Sequence, residues 1–363
     1  MLTSGIIVVD KPQGVTSHDV VAACRGLLHT SKVGHAGTLD PMATGVLVIG
    51  FGSATRLLNS IVGKDKTYDT TIRLGANTTT DDADGDIIPY SEHEQEKIIT
   101  RLAQLSEDDI KLAISRNLTG YISQIPSTFS AKKVDGQRAY DLARRGEKVE
   151  LKPNAITVNE FIVRNIVRSD DGLFVDVDAT ITCSSGTYIR ALGRDLGSLL
   201  NVGGHLTMLR RTRVGKFSVN DEKVIPFSAV EHSFTNKDGL TITRLKAVAP
   251  QSLATRSLTT QSLTPQSTTT QSTHGHENLE ELEKHVWTPR EAAQIILPTM
   301  ELTPHQAIDI SFGRPLKVDI HDVTAAIYQN DLMALLEPWR KHMAKPSTVF
   351  ITPAELTTLV ENL

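Results

Sequence analysis

From Gly34 to Gly45 the chain reads Gly-His-Ala-Gly-Thr-Leu-Asp-Pro-Met-Ala-Thr-Gly and then runs directly into Val46-Leu47-Val48-Ile49. Glycine-bearing turns on both sides and a proline after Asp40 make a stiff loop, and the apolar run behind it reads as a buried strand. A fold that honours this segment buries the strand and leaves one carboxylate on a short, rigid connection beside it. Such a carboxylate suits a nucleophile or a general base. A plain turn-capping role for the Asp-Pro pair is the other reading.

The surrounding elements decide the fold class. Gly5 to Asp10 reads as a strand and Lys11 to Gly14 as a turn. Thr16 with Asp19 forms a capping box, and Val20, Cys24, Leu27 and Leu28 keep helical spacing behind it. Gly45 to Phe51, Tyr68 to Leu74 and Phe174 to Ile181 have strand composition. Ala54 to Ile61, Glu94 to Leu105 and the stretch carrying Ile189, Leu192, Leu196, Leu199 and Leu200 read as helices. Strands and helices mix without regular βαβ alternation, which predicts an α+β fold with a mixed, largely antiparallel sheet.

At 363 residues the chain has room for a large domain and a smaller one. Two cysteines, Cys24 and Cys183, give no disulfide framework and no zinc pattern. The strand-like start has no basic region and no long apolar run, so neither a secretory signal nor a membrane span is expected, and the setting is taken as cytoplasmic. Net charge is −4, but its distribution is uneven. Lys132, Lys133, Arg138, Arg144, Arg145 and Lys148 crowd one segment, and Arg210, Arg211, Arg213 and Lys216 a second, whereas Asn77 to Lys111 holds ten acids against three bases. A polyanion is expected at the basic clusters and away from the acidic stretch, unless each run is only a solvated face.

Several other chemistries are excluded by spacing. Gly63-Lys64 is followed by Asp65 where a P-loop needs Ser or Thr. Gly50-Phe51-Gly52 leads to Thr55 where a dinucleotide fingerprint needs Gly or Ala. Asp82, Asp84 and Asp86 lack the glycine and glutamate of a calcium loop, so this acidic stretch is expected to be a solvated turn.

The block around Asp40 resembles the catalytic motif GH-x-G-x-LDP-x-ATG of the TruB-type tRNA pseudouridine synthases. The resemblance extends in family order over roughly residues 4 to 227. Lys11-Pro12-Gln13-Gly14 resembles the opening KP-x-G turn, and Lys66-Thr67-Tyr68 the K-x-Y strand. Gln124-Ile125-Pro126-Ser127 with Phe129 to Lys133 resembles the Q-x-P segment. Gly186-Thr187-Tyr188-Ile189-Arg190 resembles the G-T-Y-I-R motif, and Leu209-Arg210-Arg211-Thr212 the L-R-R-T motif. The family carries an acidic D-A-D-G stretch near its active site as well.

The resemblance implies isomerisation of uridine 55 in the T-loop of tRNA, with the target base flipped out of its stack. It implies Asp40 as catalytic nucleophile, Tyr68 stacking on the base, Arg190 pairing with Asp40, Leu209 walling the uracil pocket and His35 packing against extruded nucleotides. Tyr188 and Lys11 sit in matching motifs as supports of the pocket. Lys132, Lys133, Arg144, Arg145, Arg210 and Arg211 are the candidates for the RNA backbone. An isomerisation needs no redox cofactor, energy source or metal, and none is expected; tRNA is the expected partner and the family suggests a monomer. Arg190 carries an argument of its own: a cation near a helix start meets the unfavourable end of the dipole, and a carboxylate partner would explain it. An RNA-folding module, catalytically idle, that opens and recloses the tRNA elbow is the alternative of different class, and the two need not exclude each other.

The expected organisation is a catalytic domain over 1–234, a linker over 235–288 and a small PUA-like β-barrel, RNA-binding by resemblance, over 289–363; a generic small β-domain with no RNA role is the other reading of that last region. Within the linker, 250–273 repeats Gln-Ser or Arg-Ser every five residues and has too few large apolar residues to order itself.

Overall fold

The structure is a computed structural model that describes residues 2–128, 133–134, 137–138, 145, 151–235, 240–253 and 280–356. The 250–273 expectation falls almost wholly on 254–279, which lies outside the described residues. The chain divides into two compact units, Met1–Leu39, Leu47–Val62 and Gly215–Leu363 in the first, Asp40–Val46 and Gly63–Val214 in the second.

The second unit is built on an antiparallel run of strands. Gly204–Val214 pairs with Lys66–Leu74, which pairs with Val175–Cys183, then Asn154–Arg168, then Gly120–Gln124, each antiparallel to its neighbour. On its other side Gly204–Val214 pairs in parallel with the start of Thr44–Phe51, Arg210 opposite Thr44 and Arg211 opposite Gly45. The sheet is therefore mixed and largely antiparallel, as expected. Lys66–Leu74 and Val175–Cys183 alternate strictly between buried and half-buried residues, the period of a sheet covered on one face.

That cover is the helix Ile189–Leu200, whose Leu192 and Leu196 are completely buried. Each such side chain contributes about 1.5–3 kcal/mol on burial. Gly197 lets the helix touch the sheet backbone: a Cβ there would lie 2.1 Å from the Gly203 carbonyl carbon. Among the described residues, the two remaining helices of this unit, Glu92–Gln104 and Glu107–Asn117, open on capping boxes at Ser91/Glu94 and Ser106/Asp109.

In the first unit, Gly5–Lys11 is buried along nearly its whole length and pairs in parallel with Ile225–Pro226. The capping box at Thr16 and Asp19 opens the helix Ser17–Leu27 as expected. Val33–His35 pairs antiparallel with the latter part of Thr44–Phe51. The helix expected over 54–61 is tighter at its start: Gly52–Leu57 is a 3₁₀ turn, with the Thr55 hydroxyl donating to Gly52 O at 2.9 Å, and only Leu58–Val62 is α-helical.

Ser228–Thr235 and Thr241–Val248 form a separate two-stranded ribbon. Thr299–Glu301, Thr324–Tyr328, Asp331–Arg340 and Met343–Val349 then make one four-stranded sheet, with helices Pro289–Ile296 and Pro304–Ser311 beside it. Its core gathers Leu302, Ile310, Leu316, Met333 and Leu336. Among the described residues these four strands do not close into a barrel.

Candidate active site

The loop bearing Asp40 is tied down on both sides. Before it, the Ser17 hydroxyl accepts from Leu39 N–H at 2.9 Å and donates to Leu39 O at 3.1 Å. Behind it, Ala43 N–H donates to Asp40 O at 3.1 Å and closes the turn. Gly45 then adopts φ +101°, and a Cβ there would sit 2.2 Å from Arg211 O. Only glycine permits both this backbone angle and this approach of two strands.

Arg190, in the first turn of the helix, reaches this carboxylate. Its Nε lies 2.9 Å from Asp40 Oδ2; the Arg190 side chain is 5 % exposed and that of Asp40 37 %. The partner anticipated from the helix dipole is thus in place, but it is not alone. Arg190 Nη1 lies 3.2 Å from Asp82 Oδ2 and donates to Thr80 O at 2.8 Å. The guanidinium is a bridge, with a buried carboxylate on one arm and a half-exposed one on the other.

The expectation of a solvated acidic turn is therefore corrected at Asp82, which is buried. The Thr80 hydroxyl donates to Asp82 Oδ1, and Asp84 N–H donates to the same oxygen at 3.1 Å. One helical turn beyond Arg190, Arg194 Nη1 lies 3.1 Å from Asp81 Oδ2 and its Nη2 donates to Ile125 O at 2.7 Å. Two arginines spaced by four residues dock the acidic loop onto the helix, which satisfies its buried charge. The sequence shows Asp82 only as part of an acidic turn; two cations one helical turn apart, Arg190 and Arg194, were the available signal for a buried carboxylate.

Tyr68 lies on Lys66–Leu74, opposite Arg211 in register, and is buried. Burial pushes its phenol above the ordinary range. The charge of Arg211 and a hydrogen bond from it oppose that rise, and the charge of Asp40 adds to it. The ring is thus within electrostatic reach of the carboxylate. Leu209 is buried two residues before Arg211 on the same strand. Lys66, two residues before Tyr68, donates from Nζ to Lys64 O at 2.6 Å; burial first, and Arg211 second, push its ammonium down to about 8.

Arg211 itself is corrected as a backbone contact. It is 1 % exposed, and its Nε donates to Val46 O at 2.8 Å, so a phosphate cannot reach it. Arg210 is half-buried, with Nη1 donating to Thr44 Oγ1 at 3.3 Å, and Arg145 is exposed. Lys132 and Arg144 lie outside the described residues, as does the side chain of Lys133. Tyr188 immediately precedes the helix; its N–H donates to Gln124 Oε1 at 2.9 Å and its carbonyl accepts from Gln124 Nε2 at 3.0 Å. This exchange takes the place of a side-chain cap.

Lys11 and His35 belong to the first unit. Lys11 is completely buried, and its Nζ donates to Pro12 O at 2.9 Å and Val15 O at 2.7 Å, knitting the turn that follows the first strand. His35 ends the strand Val33–His35 and meets the ring of His18 edge-on at 6.0 Å.

Comparison with known proteins agrees with this geometry. The model of the TruB family pseudouridylate synthase N-terminal domain matches residues 25–189, and that of the tRNA pseudouridylate synthase B C-terminal domain matches 190–248. A tRNA pseudouridine synthase B of Bifidobacterium longum subsp. infantis is 44 % identical, covering 96 % of this chain and 98 % of its own. That of Thermobifida fusca is 54 % identical over 63 % of this chain and 76 % of its own.

Among solved structures, a chain of an H/ACA RNP bound to a substrate RNA containing 2′-deoxyuridine superimposes with a TM-score of 0.60. It is 21 % identical and covers 96 % of this chain and 85 % of its own. A chain of a Cbf5-Nop10-Gar1 complex gives 0.58 at 22 % identity, over 97 % and 87 % of the two chains. At that identity the structures establish a shared fold. The sequence relatives and the two family models, which together span more than half of the chain, establish more: it belongs to the TruB family of pseudouridylate synthases.

Proposed function

We propose that this enzyme isomerises uridine 55 in the T-loop of tRNA to pseudouridine, with Asp40 as nucleophile. In that reaction the bond from ribose C1′ to uracil N1 breaks and one from C1′ to C5 forms. C5 loses a proton and N1 gains one, so nothing is oxidised or reduced. The single observation that carries the reading is the Asp40 carboxylate, half-exposed on a tied loop and paired at 2.9 Å with a nearly buried arginine. Arg190 orients it for the electron-poor carbon, and a guanidinium fixed at three points costs no reorganisation during the reaction.

Uridine 55 must leave its stack to reach Asp40, at a cost of a few kcal/mol. Tyr68 offers a stacking surface for the flipped base, and burial holds its phenol above the ordinary range. Leu209 walls the pocket and Tyr188 supports its rim; in the first unit Lys11 holds the turn after the first strand, and His35 packs against displaced nucleotides. Arg145 and Arg210 contact the backbone. The organisation proposed is a catalytic domain over 1–234, a linker over 235–288 and a PUA-like RNA-binding domain over 289–363, in a cytoplasmic monomer that works without a cofactor.

The test is to incubate the purified chain with an unmodified tRNA transcript and map pseudouridine. Product at position 55 with the native chain, and none with Asp40→Asn although tRNA still binds, is the expected result. No product at any uridine removes the enzyme reading; product that survives Asp40→Asn removes the nucleophile.

A further inference from the structure

The two-stranded ribbon of the first unit has faces of opposite character. Direct cross-strand pairs share a face, and the register places Val230 opposite Lys246, His232 opposite Arg244 and Phe234 opposite Ile242. These six side chains therefore project together. The other face carries Glu231 and Leu245, Ser233 and Thr243, and Ala229 and Ala247. Leu245 reaches over the turn at Gly14, and the strand packs on the helix Ser17–Leu27. On this second face Ala247 is buried and Leu245 is 38 % exposed, while Glu231, Ser233 and Thr243 are exposed; all six residues of the first, outward face are exposed.

On the outward face apolar, aromatic and cationic groups interleave. Val230, Phe234 and Ile242 are 43 %, 38 % and 41 % exposed. The rings of His232 and Phe234 stack at 6.2 Å with 26° between their planes, and the Arg244 guanidinium lies 5.3 Å from the Phe234 ring centre. Glu231, the single acid among the described residues of the ribbon, is on the opposite face. Charged groups are depleted at the centre of a protein–protein contact, whereas stacked rings flanked by cations match unpaired bases and their phosphates.

We infer that the outward face of the ribbon Ser228–Thr235/Thr241–Val248 is a binding surface for an unpaired RNA loop. Phe234 and His232 are its stacking platform, and Arg244 and Lys246 its phosphate contacts. The inference rests on the reading of tRNA as substrate and extends it to a surface that the catalytic residues do not use. A ribbon that presents π faces and cations at one height grips RNA with little sequence preference and with marked salt dependence.

The experiment compares Phe234→Ala, Phe234→Tyr, the pair Arg244→Glu with Lys246→Glu, and Ser233→Ala on the opposite face. Dissociation constants for an unmodified tRNA transcript are measured across a salt series, together with thermal midpoints. Phe234→Ala is expected to weaken binding about tenfold, and Phe234→Tyr and Ser233→Ala to leave it within about twofold of the native value. The double charge reversal is expected to weaken binding more and to reduce the slope of log affinity on log salt by about 2. Midpoints are expected to stay unchanged.

Unchanged affinity and slope in both the aromatic and the charge variants overturn the inference. So does photocrosslinking from position 234 that captures another segment of protein in place of RNA. Binding lost in the variants while the native chain makes no pseudouridine sinks the function and keeps the surface; pseudouridine made normally with native affinity in every variant sinks the surface alone.

Discussion

Asp82→Asn removes the buried arm of the arginine bridge while leaving the side chain almost the same size. The perturbed contact is the 3.2 Å approach of Arg190 Nη1 to Asp82 Oδ2, between side chains that are each 5 % exposed. At an effective dielectric of about 20, two unit charges at that separation attract by about 5 kcal/mol. Asparagine keeps an acceptor for the Thr80 hydroxyl and Asp84 N–H, and Arg190 keeps Asp40 and the Thr80 carbonyl. The net loss of stability should then be about 2–3 kcal/mol, seen as a lower urea midpoint with unchanged slope.

Turnover should suffer more than binding. With Asp82 neutral, the guanidinium is drawn outward toward Asp40, and the carboxylate loses both its fixed position and part of its freedom to react. A displacement of this kind costs about 10²-fold in rate. The assay is single-turnover tritium release from tRNA labelled at uracil C5, read beside a tRNA dissociation constant. The expected pattern is about a hundredfold slower release with affinity changed less than about threefold. Asp82→Glu, which restores the charge, should recover part of the rate. Native release from Asp82→Asn, or a slow rate fully restored by raising the tRNA concentration, refutes the reasoning.

Three further outcomes are expected. Lys66 has its ammonium pushed from 10.5 to about 8 in the folded state. The native chain therefore binds fewer protons than the unfolded one between those values, and its stability rises with pH across that window; Lys66→Met should abolish the rise, worth up to about 3 kcal/mol in urea melts at pH 7 and pH 10. Cys24 and Cys183 are buried, with thiols pushed up to about 12 and about 11, so neither should react with a disulfide reagent until the chain unfolds. Gly45→Ala should lower stability by about 2 kcal/mol or more, since it adds a left-handed backbone penalty to a clash with Arg211 O.

Local features of this fold were the legible ones. The capping box at Thr16 and Asp19 needs only residues three apart, and Arg190 announced its need for a carboxylate by standing at a helix start. The acidic run from Asp81 to Asp86 was read as solvated because its composition is that of a surface turn. Burial of Asp82 depends on two arginines more than a hundred residues away, a pairing that no local rule supplies. Arg211 was read as a surface cation within a basic cluster. Strand alternation could have corrected this, because Arg211 stands two residues from the apolar Leu209 and shares its buried side. The tight turn at Gly52–Leu57 was missed because hydroxyl back-bonding leaves the spacing of apolar residues unchanged.

The contact between Gly197 and Gly203 gives the helix a second meaning. Seven residues separate Gly197 from Arg190, a rise of about 10 Å along the axis. The glycine end acts as the zero mark of a gauge, and the guanidinium is read off at the far end. A methyl group at the zero mark would shift the whole rod, and a fork that must meet two carboxylates at once has no slack to absorb the offset. Gly197→Ala, remote from any reacting atom, should therefore slow turnover as a miscalibration of reach.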